Sequence, residues 1–138
     1  MGAIQSSINQ ALGSAGAAAM AIDSMQEHKE LRDAQKAESE LNLGFAEADY
    51  DKATKALQAN NEALSVAETN VEGYDKLYYK ALGLGKKGRV VAEDMKEKLR
   101  GAKADAFAFR KARTELELDV ETNRRRVELA RVPYRRFH

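Results

Sequence analysis

The chain has 138 residues, with 23 Lys and Arg against 22 Asp and Glu, one Pro, no Cys and no Trp. It is one small domain at most, and the absence of Cys excludes a disulfide scaffold and any thiolate metal site. A charged fraction of 33% beside an aromatic fraction of 7% points to long, solvated helices rather than a compact aromatic core.

The near-neutral total hides three zones. Residues 1–22 carry no charged side chain; Asp23 to Leu82 has 13 acidic and 7 basic residues; Gly83 to His138 has 9 acidic and 16 basic. Asymmetry of this kind carries more information about partners than the net charge does.

The uncharged segment 1–22, MGAIQSSINQALGSAGAAAMAI, comes first. Ile4, Ile8, Ala11, Ala15, Ala18, Ile22 and Met25 follow helical spacing. Gly13 with Ala17, and Ser14 with Ala18, are small pairs that allow close helix approach. The segment is long enough to span a bilayer, at about 20 residues, but Ala and Gly contribute little to insertion and Gln5, Asn9 and Gln10 dilute it. It reads as a membrane-active or oligomerisation helix that presents Ile4, Ile8, Leu12, Ala15, Ala19 and Ile22. It lacks the basic n-region of a secretory signal. Met1-Gly2 with Ser6 fits an N-myristoylation pattern, one that is common by chance and meaningless on a bacterial or phage protein.

Residues 23–42 are polar and rich in helix formers. Leu31, Ala34, Ala37 and Leu41 give only a weak stripe, so the segment reads as a solvated helical spacer running into the next part, with Gly44 as a candidate kink.

From residue 43 a heptad seam runs without a slip through Leu43, Ala46, Tyr50, Ala53, Leu57, Asn60, Leu64, Ala67, Val71, Tyr74, Tyr78 and Ala81. The stretch 83–88, GLGKKG, suits a helix end and a turn. The pattern then resumes through Ala92, Met95, Leu99, Ala102, Ala106, Phe109, Arg113, Leu116, Val120, Asn123, Val127 and Ala130. Pro133 is expected to stop it, because the ring disfavours helical geometry at the residue before it. Folding at the glycines sets Leu64 opposite Ala106 and Tyr50 opposite Val120. The expected fold is therefore all-α: a long N-terminal helix continuing into an antiparallel coiled-coil-like hairpin over 43–132, closed by a basic tail, 133–138. Each arm would be about 60 Å long at 1.5 Å per residue. Asn60, Arg113 and Asn123 on the seam either fix register or reach water. So thin a hairpin is expected to pack on copies of itself or on a larger partner.

Candidate sites are few. Lys86, Lys87 and Arg89 at the turn do not make a phosphate loop: no strand precedes them and no Ser or Thr follows the Lys pair. They read as an exposed hairpin tip. His28 has no second His at helical metal spacing. No paired carboxylates or nucleophile arrangement stands out, so neither an enzyme nor a metal or cofactor is predicted. Tyr79 lies off the seam and reads as a partner anchor. The main signal is the C-terminal cluster Arg124, Arg125, Arg126, Arg131, Arg135 and Arg136. It suits nucleic-acid phosphates, or docking on an acidic protein surface with Tyr134 and Phe137 as anchors, or an idle solvated tail.

The order of parts, with a Gly/Ala/Ser-rich start, then MQEHKELRDAQKAESELNLGFAEADYDKA and a basic end, resembles internal virion proteins of bacteriophages: DNA pilot proteins of small tailless phages and ejected inner-core proteins of short-tailed phages. The resemblance is compositional and covers roughly the first 60 residues, so no single residue is carried over. It implies a structural protein of the virion interior, alternatively of the bacterial host cytoplasm. Such a protein would assemble as a homo-oligomer or with portal or capsid proteins, and would touch DNA through its basic end and membrane through 1–22. The hairpin departs from the uninterrupted tube-forming helix of some members. A coiled-coil adaptor or scaffold that binds only proteins is the alternative.

Overall fold

The structure is a computed structural model that describes residues 3–138, with side chains from Ala21 onward. Two helices are joined by a tight turn: α1, Ala3–Gly83, a 3-10 turn, Gly85–Gly88, and α2, Arg89–Phe137. The fold is the all-α helical hairpin that the spacing predicts. The helix passes through Gly44 without interruption. The chain divides into two compact units, one of residues 45–129 and one of residues 1–44 with 130–138.

In the unit of residues 45–129, the turn rests on two glycines. Gly85 has φ +64°, a left-handed conformation that costs a side-chain-bearing residue about 1–2 kcal/mol. Gly88 is buried, and a Cβ there would lie 2.0 Å from the carbonyl oxygen of Ala81. The backbone of the second arm thus enters against the end of the first. The amide of Leu84 donates to the same Ala81 carbonyl at 3.1 Å, satisfying one of the acceptors that a helix end leaves open.

From this turn the two seams run together. Leu64, Ala67 and Ala106 form one buried cluster, with Val71 and Phe109 packed against it, which is the register the sequence predicts. Every seam position of the first arm from Leu43 to Ala81 is buried or half-buried. The side-chain amide of Asn60 reaches across to donate to the Phe109 carbonyl at 2.9 Å. Of the two readings of the polar seam residues, Asn60 therefore fixes register. Asn123 is buried and turned back on its own helix, donating to the Asp119 carbonyl at 2.9 Å. Arg113 is exposed, with its Nε 3.9 Å from Glu117. Ala112 is half-buried in its stead, because a long cationic side chain can swing to water and leave its small neighbour to face the partner helix.

The interior of this unit is thin. Its buried hydrophobics are seven alanines and only four larger side chains, Leu64, Met95, Leu99 and Val127. Large apolar side chains of the same unit stay exposed, among them Phe45, Val66, Val90, Phe107 and Leu118, each at 60% or more.

In the second unit, α2 does not stop at Pro133 as expected but continues to Phe137. Pro133 removes one helix hydrogen bond, and the acceptor it orphans is the carbonyl of Leu129, an exposed residue that water can reach. Tyr134 and Phe137, one step of four and then one of three along the seam from Ala130, are half-buried. Ser39 faces this stretch and is 3% exposed, its hydroxyl donating to the Lys36 carbonyl at 2.7 Å. Leu31 and Leu41 of the expected weak stripe are exposed.

Glycine substitutions separate the turn from the helix interiors. Gly85→Ala should cost about 1 kcal/mol, and Gly88→Ala more, because it drives a methyl into a backbone oxygen. Gly73 and Gly101 lie inside helices with nothing within 4 Å of an added Cβ. Alanine at either should stabilise by about 0.5–1 kcal/mol. Urea unfolding of the four variants measures all of these.

Candidate functional site

The six C-terminal arginines divide between the two units. They fall into two groups with different surroundings.

In the unit of residues 45–129, Arg124, Arg125 and Arg126 are engaged by the chain's own carboxylates. The guanidinium of Arg124 grips Glu121 with two donors, Nε at 2.9 Å and Nη2 at 2.6 Å, and its Nη1 donates to Glu128. Arg125 donates to the same Glu121 at 3.3 Å. Both pairings follow helical i, i+3 and i, i+4 spacing, and the two-donor grip on Glu121 is the stronger kind of ion pair. Hydrogen bonding from Arg124 is the main cause that holds the Glu121 carboxyl down from its ordinary 4.5 to about 2, and the charge of Arg124 and contact with Arg125 add to it. Arg124 is correspondingly held more firmly in its charged form. Arg126 reaches between the helices to Asp49 at 3.3 Å and also donates to the Asn123 side chain at 3.2 Å. Satisfied in this way, these three present little unbalanced charge to a phosphate.

In the second unit, Arg131, Arg135 and Arg136 are exposed, and among the described residues no ion pair engages them. They are the part of the predicted cluster available to an anion. Arg136 also borders a hollow of about 290 Å³ with Glu38, Asn42, Pro133 and Phe137. Tyr134 and Phe137, expected as partner anchors, are half-buried. Phe137 lines that hollow, and Tyr134 stacks on His138 with ring centroids 4.1 Å apart and planes 19° apart. Nε2 of His138 in turn lies 2.9 Å from Glu40. The last residues are thus a seam end rather than a free tail.

The hairpin tip keeps its predicted character. Lys86, Lys87 and Arg89 are exposed and unpaired among the described residues. Tyr79 is 64% exposed and meets Tyr78 edge to face at 5.5 Å. Of the N-terminal contact set, Ile22 is 64% exposed; Ile4, Ile8, Leu12, Ala15 and Ala19 lie outside the residues whose side chains are described. Among the described residues no helix is long and apolar enough to cross a membrane, and no group of three or more His, Asp or Glu is placed to hold a metal.

The Glu121 pairing sets a pH dependence. A carboxyl held below its ordinary value contributes stability that is present above pH 4.5 and lost as the pH falls toward 2. The effect is small because the pair is exposed and solvent screens it. In Glu121→Gln this contribution is missing, so helicity followed by circular dichroism should be lower than wild type above pH 4.5 under mild denaturant. The difference should close as the pH approaches 2.

Comparison with family models, characterised proteins and solved structures finds no match to this chain.

Proposed function

We propose that this chain is a non-catalytic structural protein of a bacteriophage virion interior, built to pack through its hairpin with copies of itself or with neighbouring virion proteins. The supporting observation is the thin interior of residues 45–129. Seven of its eleven buried hydrophobics are alanine, while large apolar side chains such as Phe107 and Leu118 remain exposed. Each such side chain stabilises by about 1.5–3 kcal/mol when fully buried, so a covering partner supplies what the hairpin lacks. The uncharged segment 1–22 engages membrane or sister chains, and Arg131, Arg135 and Arg136 grip DNA backbone or an acidic portal or capsid surface. The virion placement rests on the compositional likeness of the first 60 residues.

A protein-only coiled-coil scaffold is the second reading. It is favoured by one observation: the chain's own Glu121, Glu128 and Asp49 already hold three of the six arginines.

Light scattering at low and high salt, with and without a short DNA duplex, distinguishes the two. A DNA complex through several arginines should weaken steeply with salt, and Arg131→Gln/Arg135→Gln/Arg136→Gln should abolish it while Arg124→Gln has little effect. A salt-resistant oligomer indifferent to DNA establishes the scaffold, and a monomer under all conditions removes both readings. Deleting residues 1–22 should leave helicity of the hairpin intact and abolish liposome flotation. Unchanged flotation would rule out membrane contact by that segment.

A further inference from the structure

The basic excess of the second half is not confined to its end. Residues 74–103, the hairpin tip, hold nine Lys and Arg against four Asp and Glu, a net of +5 in a chain whose total is +1. Part of this charge is ordered into a stripe. Lys96, Arg100 and Lys103 each follow a buried seam residue of α2, namely Met95, Leu99 and Ala102. They therefore line one flank of the helix at intervals of about 6 and 4.5 Å along its axis. Asp75 and Tyr79 hold the equivalent places on α1, after Tyr74 and Tyr78.

These two flanks border a hollow of about 390 Å³, with Asp75, Tyr78 and Tyr79 on one wall, Lys96, Arg100 and Lys103 on the other, and Leu99 as its floor. A second hollow of about 340 Å³, lined by Lys86, Arg89 and Leu82 among others, shares Tyr78 with it. Arg100 lies 3.5 Å from Glu97. Among the described residues no ion pair engages Lys96, Lys103, Lys86, Lys87 or Arg89. The same flank behaves differently where its charges balance: closer to the middle of the hairpin, Glu68 meets Arg110 at 3.2 Å.

We infer that the hairpin tip is a binding groove for single-stranded nucleic acid, with phosphates along Lys96, Arg100 and Lys103 and a base stacked on Tyr79. Unbalanced cations on one wall attract a polyanion. An exposed aromatic ring on the facing wall selects among polyanions, because an unpaired base offers it a flat apolar face. A duplex keeps its bases inside the stack, and an acidic protein helix would satisfy the lysines while leaving the ring without a flat partner. The packing of the hairpin does not require these side chains: Lys96, Arg100, Lys103 and Tyr79 are all exposed. The groove is independent of the assembly proposed above and of Arg131, Arg135 and Arg136, which lie in the other unit.

The test is fluorescence anisotropy of a labelled oligothymidylate on the full chain, over a series of salt concentrations, with circular dichroism to confirm unchanged helicity. Lys96→Gln/Lys103→Gln should weaken binding at least tenfold and reduce the salt slope by about 1.4, at roughly 0.7 for each phosphate no longer neutralised. Tyr79→Ala should weaken binding about tenfold, and Tyr79→Phe, which keeps the ring, should retain wild-type affinity. In an Arg131→Gln/Arg135→Gln/Arg136→Gln background, which removes the C-terminal phosphate contacts, Tyr79→Ala should still weaken binding about tenfold. An unlabelled oligoribonucleotide should compete as well as the deoxy strand, whereas duplex DNA and polyglutamate should compete poorly. No binding at low salt overturns the inference. So does binding that the tip variants leave unchanged, or equal competition by polyglutamate or duplex, which would reduce the groove to an unselective basic patch.

Discussion

Two helices can lie this close only where small side chains meet, and the alanine seam of residues 45–129 is the constraint from which the rest of that unit follows. Ala46, Ala53, Ala67, Ala81, Ala92, Ala102 and Ala106 are all buried. Close approach makes the inner faces of α1 and α2 nearly interchangeable in register, since one alanine resembles another and a slip by one heptad loses little area. Register must therefore come from features that are not repeated. The chain has two. Asn60 donates to the Phe109 carbonyl, a hydrogen bond that a shifted hairpin would leave unmade in a poorly solvated seam. The turn admits no play either, because Gly88 lies directly on the Ala81 carbonyl. Leu64 against Ala106 then follows as a consequence.

The same thin seam separates what specifies the fold from what stabilises it. Alanine burial contributes little apolar area per residue, so the intrinsic helix propensity of an Ala-, Glu-, Lys- and Leu-rich chain carries much of the local order. Surface ion pairs at helical spacing, such as Asp51–Lys55 at 2.9 Å and Glu72–Lys76 at 3.0 Å, add only a few tenths of a kcal/mol each. None of this covers Phe45, Val66, Phe107 or Leu118.

Periodicity made the hairpin legible because its signal is a repeated apolar or small residue, and it failed where consecutive seam positions are polar or a proline interrupts them. Running back from Leu43 by steps of four and three reaches Ser39 and Lys36, which are buried and half-buried. An apolar pattern cannot see either, so residues 23–42 read as a solvated spacer. Running forward from Ala130 reaches Tyr134 and Phe137. Pro133 conceals them, because its local preference against helix is weaker than the packing of the ring residues around it. Arg113 is the opposite case: the spacing is right and the side chain is on the wrong side, since charge and length let it leave a seam that Ala112 can fill. The pairing of Arg124 with Glu121 and Glu128 was readable from i, i+3 and i, i+4 spacing. That of Arg126 with Asp49, 77 residues away, was not readable without the register.

Counting charges along a chain and counting the charges left over after folding give different maps. By sequence the densest cations are Arg124, Arg125 and Arg126, and these are the ones answered by carboxylates on the same or the facing helix. Among the described residues the cations without an ion pair are more dispersed, and include Arg131, Arg135 and Arg136 in one unit and Lys86, Lys87, Arg89, Lys96 and Lys103 in the other. An ion-paired arginine must give up a partner at 2.6–3.3 Å before it can take a phosphate, whereas an unpaired lysine gives up only water and counterions. For equal numbers of charges, the unpaired set therefore binds a polyanion more strongly. The tip and the last two turns of α2 thus keep cations open to an anion in a way that the run of three arginines dominating the sequence does not.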